Sequence, residues 1–376
     1  MTEIPTILDQ HYEIAKNHLS ESFIIDLDIR DKISDISTNS ANRACVRFLI
    51  SCLLAKIDNS KLDIRKPYTE IGSSDCYSGR VIDEKYVNPF IHEKNLPCNS
   101  TTAFLTPAFR NITSILLPDR EMAGTPKRIY KYTLQILDDV ENGRLSETAV
   151  LSEVLRDLIN LKLEKDSRLS SLLKEVVSTK ENKPLSSEQI VELIETHIKY
   201  PKSSRIPVLV VAAAYVASSE YLHEQSLPLE GHNAADKQTK SLGDIEVTLV
   251  NDENIVTCYE MKARSVSKED VDDALKKVLE RGTTLDNYII VTTFPIEKEV
   301  LNYCRTLYDL TEGIEFMVLD CVTFLRHFLH FFHRIRINYL ECYQNLLLAE
   351  PDSSVSQYLK EAFLSLRLAA EKENNR

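Results

Sequence analysis

Two short segments joined by four polar residues constrain this chain most. GDIEVTLV (243–250) alternates strictly, with Ile245, Val247 and Leu249 on one face and Asp244, Glu246 and Thr248 on the other. After the tetrad NDEN (251–254), IVTCYEMKA (255–263) sets Val256, Cys258, Glu260 and Lys262 on one face. Period-two patterning around a polar turn reads as a β-hairpin. A hairpin brings the start of its first strand beside the end of its second. Asp244 stands at that start, and Glu260 and Lys262 stand near that end. If Asp244 shares their face, two carboxylates and an ammonium converge at one edge of a sheet.

The flanking pattern says what sheet this is. Pro207 opens a strongly apolar helix, PVLVVAAAYVASSEYL, ahead of the hairpin. A helix from Ser267 to Gly282 follows it, then a strand DNYIIVTT. A second helix from Pro295 to about Glu312, a strand IEFMVLD and a long C-terminal helical segment complete the order. This predicts an α/β (α+β) core, a mixed sheet covered by helices. The catalytic-type domain is expected over 188–376. STKENKPLSS (178–187) is the linker candidate, its final serines capping the helix SEQIVELIETHI with Glu188 in the first turn. Residues 1–177 read as a mainly helical region. Within it, 67–126 is turn-rich, with helical pieces expected near 84–94 and 101–111.

Composition narrows the function. Only eight glycines occur, and none builds a phosphate-cradling G-x-G-x-x-G or G-x-x-x-x-G-K-S/T loop. There is no G-x-S-x-G elbow. The eight cysteines form no C-x-x-C pair, and they read as reduced, mostly buried thiols. No apolar run is long enough to span a bilayer, and no signal-peptide pattern opens the chain, so a cytoplasmic protein without membrane association is expected. The net charge of −12 argues against a partner rich in phosphate. That argument concerns the whole chain. The acids crowd into segments such as LQILDDVENGRLSE, and the hairpin region is near balance.

Two carboxylates at a strand edge suit Mg²⁺, which binds few protein ligands and keeps several waters. Such a centre hydrolyses phosphodiesters. Lys262 could orient or deprotonate the attacking water, or stabilise charge on phosphorus. An isolated E-x-K on a strand is common, and its bland meaning is a Lys–Glu pair on a solvated face. The spacing of Asp244 across the same hairpin, within this helix–strand order, favours the catalytic meaning.

The local text goes further. PYTEIGSSDCYSGR, LPCNSTTAFLTPAFRN, HNAADKQTKSLGDIEVTL and YEMKARSV resemble the SacI family of type II restriction endonucleases, along about residues 60–366. The hairpin resembles the PD-(D/E)xK nuclease core, with Gly243 where that name has proline. The resemblance implies Mg²⁺-dependent cleavage of both strands of double-stranded DNA at a short palindrome. The family's namesake reads GAGCTC. It also implies a cognate DNA methyltransferase, with Asp244 and Glu260 as metal ligands and Lys262 as the catalytic lysine. A two-fold DNA site points to a homodimer.

Other residues are candidates of lower rank. Glu220, on the helix before the hairpin, would supply a further catalytic carboxylate. Glu246 would support Asp244. His232, Asn233 and Asp236 would order the loop entering the catalytic strand or touch phosphate. Asp75, Tyr77, Ser78, Arg80, Asn99, Thr101, Thr102, Arg110 and Asn111 form the expected DNA-reading set, since Arg and Asn can read guanine and adenine edges. Thr101 and Thr102 serve equally well as a helix cap. FLRHFLHFFHRIRINYL (324–340) carries three histidines and three arginines, and reads as an interface helix or a basic face rather than a zinc site. Two other functions stay open: a sequence-specific DNA-binding protein without cleavage, and a helical interaction protein.

Overall fold

The computed structural model describes residues 4–178, 183–229, 241–282 and 285–374. The chain divides into two compact units, Met1–Ser167 and Arg168–Arg376. The division falls ahead of the polar stretch 178–187, of which 179–182 lie outside the described residues.

The first unit is helical. It holds α1 (Ile4–Asn17), α2 (Leu27–Thr38), α3 (Ala44–Asp58), the short α4 (Gly79–Ile82) and α5 (Asn88–Lys94), α6 (Lys127–Glu141), and the start of α7 (Glu147–Ser178). At its centre lies α3, buried on every side from Ala44 to Ala55. A helix that is apolar all round belongs inside a core. The one cation of that buried run, Arg47, is fully buried and makes a two-pronged ion pair with Asp83 at 2.8 Å for each bond. The helical piece expected near 84–94 is present. The one expected over 101–111 is not: only a 3-10 turn at Ala103–Leu105 forms. Pro107 is the reason. It forces Thr106 into an extended conformation (ψ 151°), and the helix cannot continue.

The second unit carries a five-stranded sheet in the order β1-β2-β3-β4-β5. The strands are β1 (Glu224–Ser226), β2 (Ile245–Leu249), β3 (Ile255–Lys262), β4 (Asn287–Thr292) and β5 (Glu315–Asp320). β1, β2 and β3 pair antiparallel, and β3, β4 and β5 pair parallel. The sheet is therefore mixed, as the sequence predicts. Its helices are α8 (Ser187–Ile198), α9 (Ile206–Leu222), α10 (Lys268–Arg281), α11 (Lys298–Leu310), α12 (Cys321–Phe331), α13 (Arg336–Ala349) and α14 (Gln357–Glu373). Ser186 caps α8 and Ser267 caps α10, each in a reciprocal capping box.

Strand alternation splits the core. Ile245, Val247, Tyr259 and Val291 face one way, into a core shared with α8, α9, α12, α13 and α14. Cys258, Tyr288, Ile290, Phe316 and Val318 face the other, beneath α10 and α11. One alternation fails. A bulge between Val247 and Thr248 turns Thr248 inward and leaves Leu249 exposed. The basic segment 324–340 is also not one helix. It breaks after Phe331 into a 3-10 turn before α13, so its apolar positions belong to two helices.

All eight cysteines are free thiols. No helix among the described residues is long and apolar enough to cross a membrane.

Candidate active site

The register of the hairpin decides the site. Ile245 lies opposite Tyr259 and Glu246 opposite Cys258, so Asp244 faces Glu260 one step before the start of β2. Residues opposed across an antiparallel pair share a face. Asp244 Oδ2 accepts a 2.7 Å hydrogen bond from the Met261 amide, which fixes the carboxylate against the end of β3. Gly243 makes this approach possible. A Cβ there would stand 2.6 Å from the Tyr259 carbonyl oxygen and 2.7 Å from Cys258 Sγ. A proline at this position would meet the same atoms.

Glu260 points beneath α10, with its side chain 15% exposed. Both of its oxygens are engaged. Lys262 Nζ lies 2.8 Å from Oε1, and Lys277 Nζ, from α10, lies 3.0 Å from Oε2. The Tyr288 hydroxyl stands 2.9 Å from Oε2 and 2.9 Å from the Leu242 carbonyl, so its single proton serves one acceptor or is shared. Burial alone would raise the pKa of Glu260. The ammonium groups of Lys262 and Lys277 outweigh it, and the carboxyl titrates below the usual glutamate value. Lys262 also approaches Asp270 at 3.9 Å. Asp270 holds Arg264 through two bonds of 2.7 and 2.6 Å and receives the Ser267 amide at 2.9 Å. Cys258, between these groups, is a neutral thiol: burial and the nearby acids push its pKa far up.

The residues brought together are therefore Asp244, Glu260 and Lys262. Glu220 is not with them. It is exposed near the end of α9. Glu224, four residues on, pairs with Leu249, at the turn end of β2. Asp244 precedes the opposite end, about 17 Å away at ~3.4 Å per residue. Glu246 caps the Leu242 amide at 2.8 Å and pairs with Arg281 at 3.1 Å, so it holds the approach to β2. His232, Asn233 and Asp236 lie outside the described residues.

In the first unit the candidate readers separate by burial. Tyr77 is buried and its hydroxyl donates to the Ile64 carbonyl at 3.2 Å. Thr102 is buried and caps the 3-10 turn. Both serve the fold. Asp75 is tied to Lys66 at 2.6 Å, Ser78 caps α4, and Arg80 pairs with Glu84 at 2.7 Å. Asn99 donates to the Thr101 carbonyl at 2.8 Å. Thr101, Arg110 and Asn111 are exposed. In 324–340, His330 and Arg326 both turn to Glu188, at 2.7 and 3.2 Å, and no group of three His, Cys, Asp or Glu suited to a metal occurs among the described residues.

Sequence reading missed Lys277 and Tyr288. The signal was present for the first. Asp270 and Lys277 are two helical turns apart, on the face of α10 that meets the sheet.

Comparison with known families now bears on this geometry. The family described as SacI restriction endonuclease C-terminal domain matches residues 182–292, which contain β1 to β4, α8 to α10 and the whole constellation. This part of the chain is a SacI-family restriction endonuclease domain. The match implies a nuclease of the restriction type and suggests DNA as its partner. A search of curated proteins found no match to the chain.

As a donor set, Asp244 and Glu260 fit a hard divalent cation. They offer carboxylate oxygens from adjacent strands, in the small number that a hydrated cation accepts.

Proposed function

We propose that the chain is a type II restriction endonuclease of the PD-(D/E)xK type, hydrolysing both strands of duplex DNA at a short palindrome with Mg²⁺. The observation that carries this reading is the opposition of Asp244 and Glu260 across β2 and β3, with Lys262 two residues on. Asp244 and Glu260 hold the cation. When bound, it polarises a phosphoryl oxygen and makes water a stronger nucleophile at neutral pH. Lys262 orients the attacking water and stabilises the charge that develops on the phosphate. The Met261 amide keeps Asp244 in place, and Lys277 and Tyr288 steady Glu260.

Arg80, Asn99, Thr101, Arg110 and Asn111 are the proposed DNA-reading residues of the first unit, with Asp75 and Ser78 shaping their segment. A homodimer on DNA matches a two-fold site, and a methyltransferase of the same specificity protects the host's own copies. GAGCTC is the first site to test.

The experiment is digestion of plasmid DNA by purified protein with Mg²⁺, with a chelator control and with Lys262→Ala. Discrete fragments whose ends map to one palindrome, lost with chelator and in the variant, are the expected result. A gel shift without cutting would instead make the chain a DNA-binding protein.

A further inference from the structure

A cleft of about 820 Å³ opens beside Lys262 in the second unit. Its floor is the carboxyl ends of the parallel strands, Met261 to Ala263 at the end of β3 and Thr293 and Phe294 after β4. Its walls are the end of α8 with the turn that follows, the start of α9 and the start of α12. Lys199, Lys202, Lys262 and Arg326 line it, against the acids Glu195 and Asp320. Four cations and two anions thus line the cleft, with Lys262 paired to Glu260 and Arg326 to Glu188.

The acids there are engaged. Glu195 holds Lys199 at 2.7 Å, and Asp320 caps α12 by accepting from the Thr323 amide at 2.7 Å. Arg326 turns to Glu188. Lys202 differs. It is exposed, and no hydrogen bond or ion pair to it is found among the described residues. Its backbone is left-handed, at φ 62°, a conformation that costs a lysine free energy and that Asn or Gly would accept more readily. Ser204 and Pro207, at the start of α9, line the same wall, and the amino end of a helix favours anions.

We propose that this cleft seats the sugar–phosphate backbone beside the reacting phosphodiester, with Lys202 as its main phosphate contact and Lys199 as the second. This rests on the nuclease reading and adds to it the residues that grip the strand. Lys202 is held exposed in its turn, with no ion-pair partner among the described residues. A phosphate there would meet an ammonium that need not leave any of them. Lys199 would have to leave Glu195, so its contribution is smaller.

The test is the salt dependence of binding. A mixed-sequence duplex of about 30 base pairs is titrated by fluorescence anisotropy, with chelator, across a range of salt. Each phosphate contact adds about 0.9 to the slope of log K against log salt. Lys202→Asn accepts the left-handed backbone and removes the charge. It is expected to lower the slope by about 0.9 and to weaken binding several-fold at 0.1 M salt. Lys202→Arg is expected to restore both, and Lys199→Gln to lower the slope by less. A wild-type slope in Lys202→Asn, with the duplex still bound, would overturn the proposal and leave the nuclease reading intact. Absence of both binding and cleavage in the wild-type protein would instead remove that reading.

Discussion

Lys277 Nζ lies 3.0 Å from Glu260 Oε2, on the side of the carboxylate away from Lys262. Glu260 thus stands between two ammonium groups, where a bound cation would require it to share. Replacing Lys277 with Met removes one competitor and keeps the apolar stem against the sheet. Lys277→Met is expected to bind Mn²⁺ or Mg²⁺ several-fold more tightly in calorimetric titration without DNA. Unchanged or weaker binding would show that Lys277 orients Glu260 without competing for it.

Asp244 depends on charge for the proposed metal and on geometry for its bond to Met261. Asparagine separates the two, since its carbonyl oxygen can still accept from the amide. Asp244→Asn is expected to lose metal-dependent cleavage and to keep the melting temperature close to wild type. Acid crowding gives little reason for a gain in stability, because Glu260 is already neutralised by Lys262 and Lys277. A cleavage titration with Mg²⁺ that matches wild type would remove Asp244 from the site.

The hairpin and the sheet were legible because alternation at period two fixes which residues share a face. Ile245, Val247, Cys258 and Tyr259 follow it. The bulge at Thr248 was not legible, because a single residue of slip leaves composition unchanged. The break after Phe331 was hidden for a different reason. α12 runs apolar to Phe331 and Phe332 follows it, and no Gly or Pro marks the junction. That Asp244, Glu260 and Lys262 converge was readable from spacing; that Tyr288 joins them was not, and Lys277 was legible only as a residue on the sheet-facing side of α10. Lys277 and Tyr288 come from elements 17 and 28 residues away, and only the packing of α10 and β4 brings them in. Glu220 shows the opposite error: the helix before a hairpin was expected to aim an acid at the site, but α9 joins β1 at the turn end.

His197 makes the second unit sensitive to acid. It is fully buried on α8. The Leu359 carbonyl, 3.0 Å from Nε2, can only accept, so Nε2 carries the proton and Nδ1 accepts from the Tyr343 hydroxyl at 2.8 Å. Burial pulls its pKa from 6.5 down to about 4, only partly offset by the Leu359 carbonyl. Between those values the unfolded chain binds a proton that the folded one refuses. Stability is therefore complete above pH 6.5 and is lost as pH falls toward 4, by about 3 kcal/mol at ~1.36 kcal/mol per unit. Denaturant unfolding of His197→Gln is expected to show a shallower loss across this window. An identical pH profile would mean that other groups carry the acid sensitivity.

Gly243 is the position where the smallest change should be felt at the site. Its φ is not left-handed, so backbone freedom is not what requires glycine there. The requirement is space. An added Cβ meets the Tyr259 carbonyl oxygen at 2.6 Å, and that atom is backbone within the sheet, with no rotamer to move. The chain entering β2 would have to lift from β3, and Asp244 would lift with it, away from the Met261 amide. Gly243→Ala is expected to cost about 1–3 kcal/mol of stability, typical of overpacking. It should also reduce cleavage more than DNA binding, because Asp244 moves and the cleft beside Lys202 does not. Thermal melting and single-turnover cleavage of a mapped plasmid measure the two effects. A Gly243→Ala protein that melts and cuts like wild type would show that the hairpin mouth is looser than its contacts indicate.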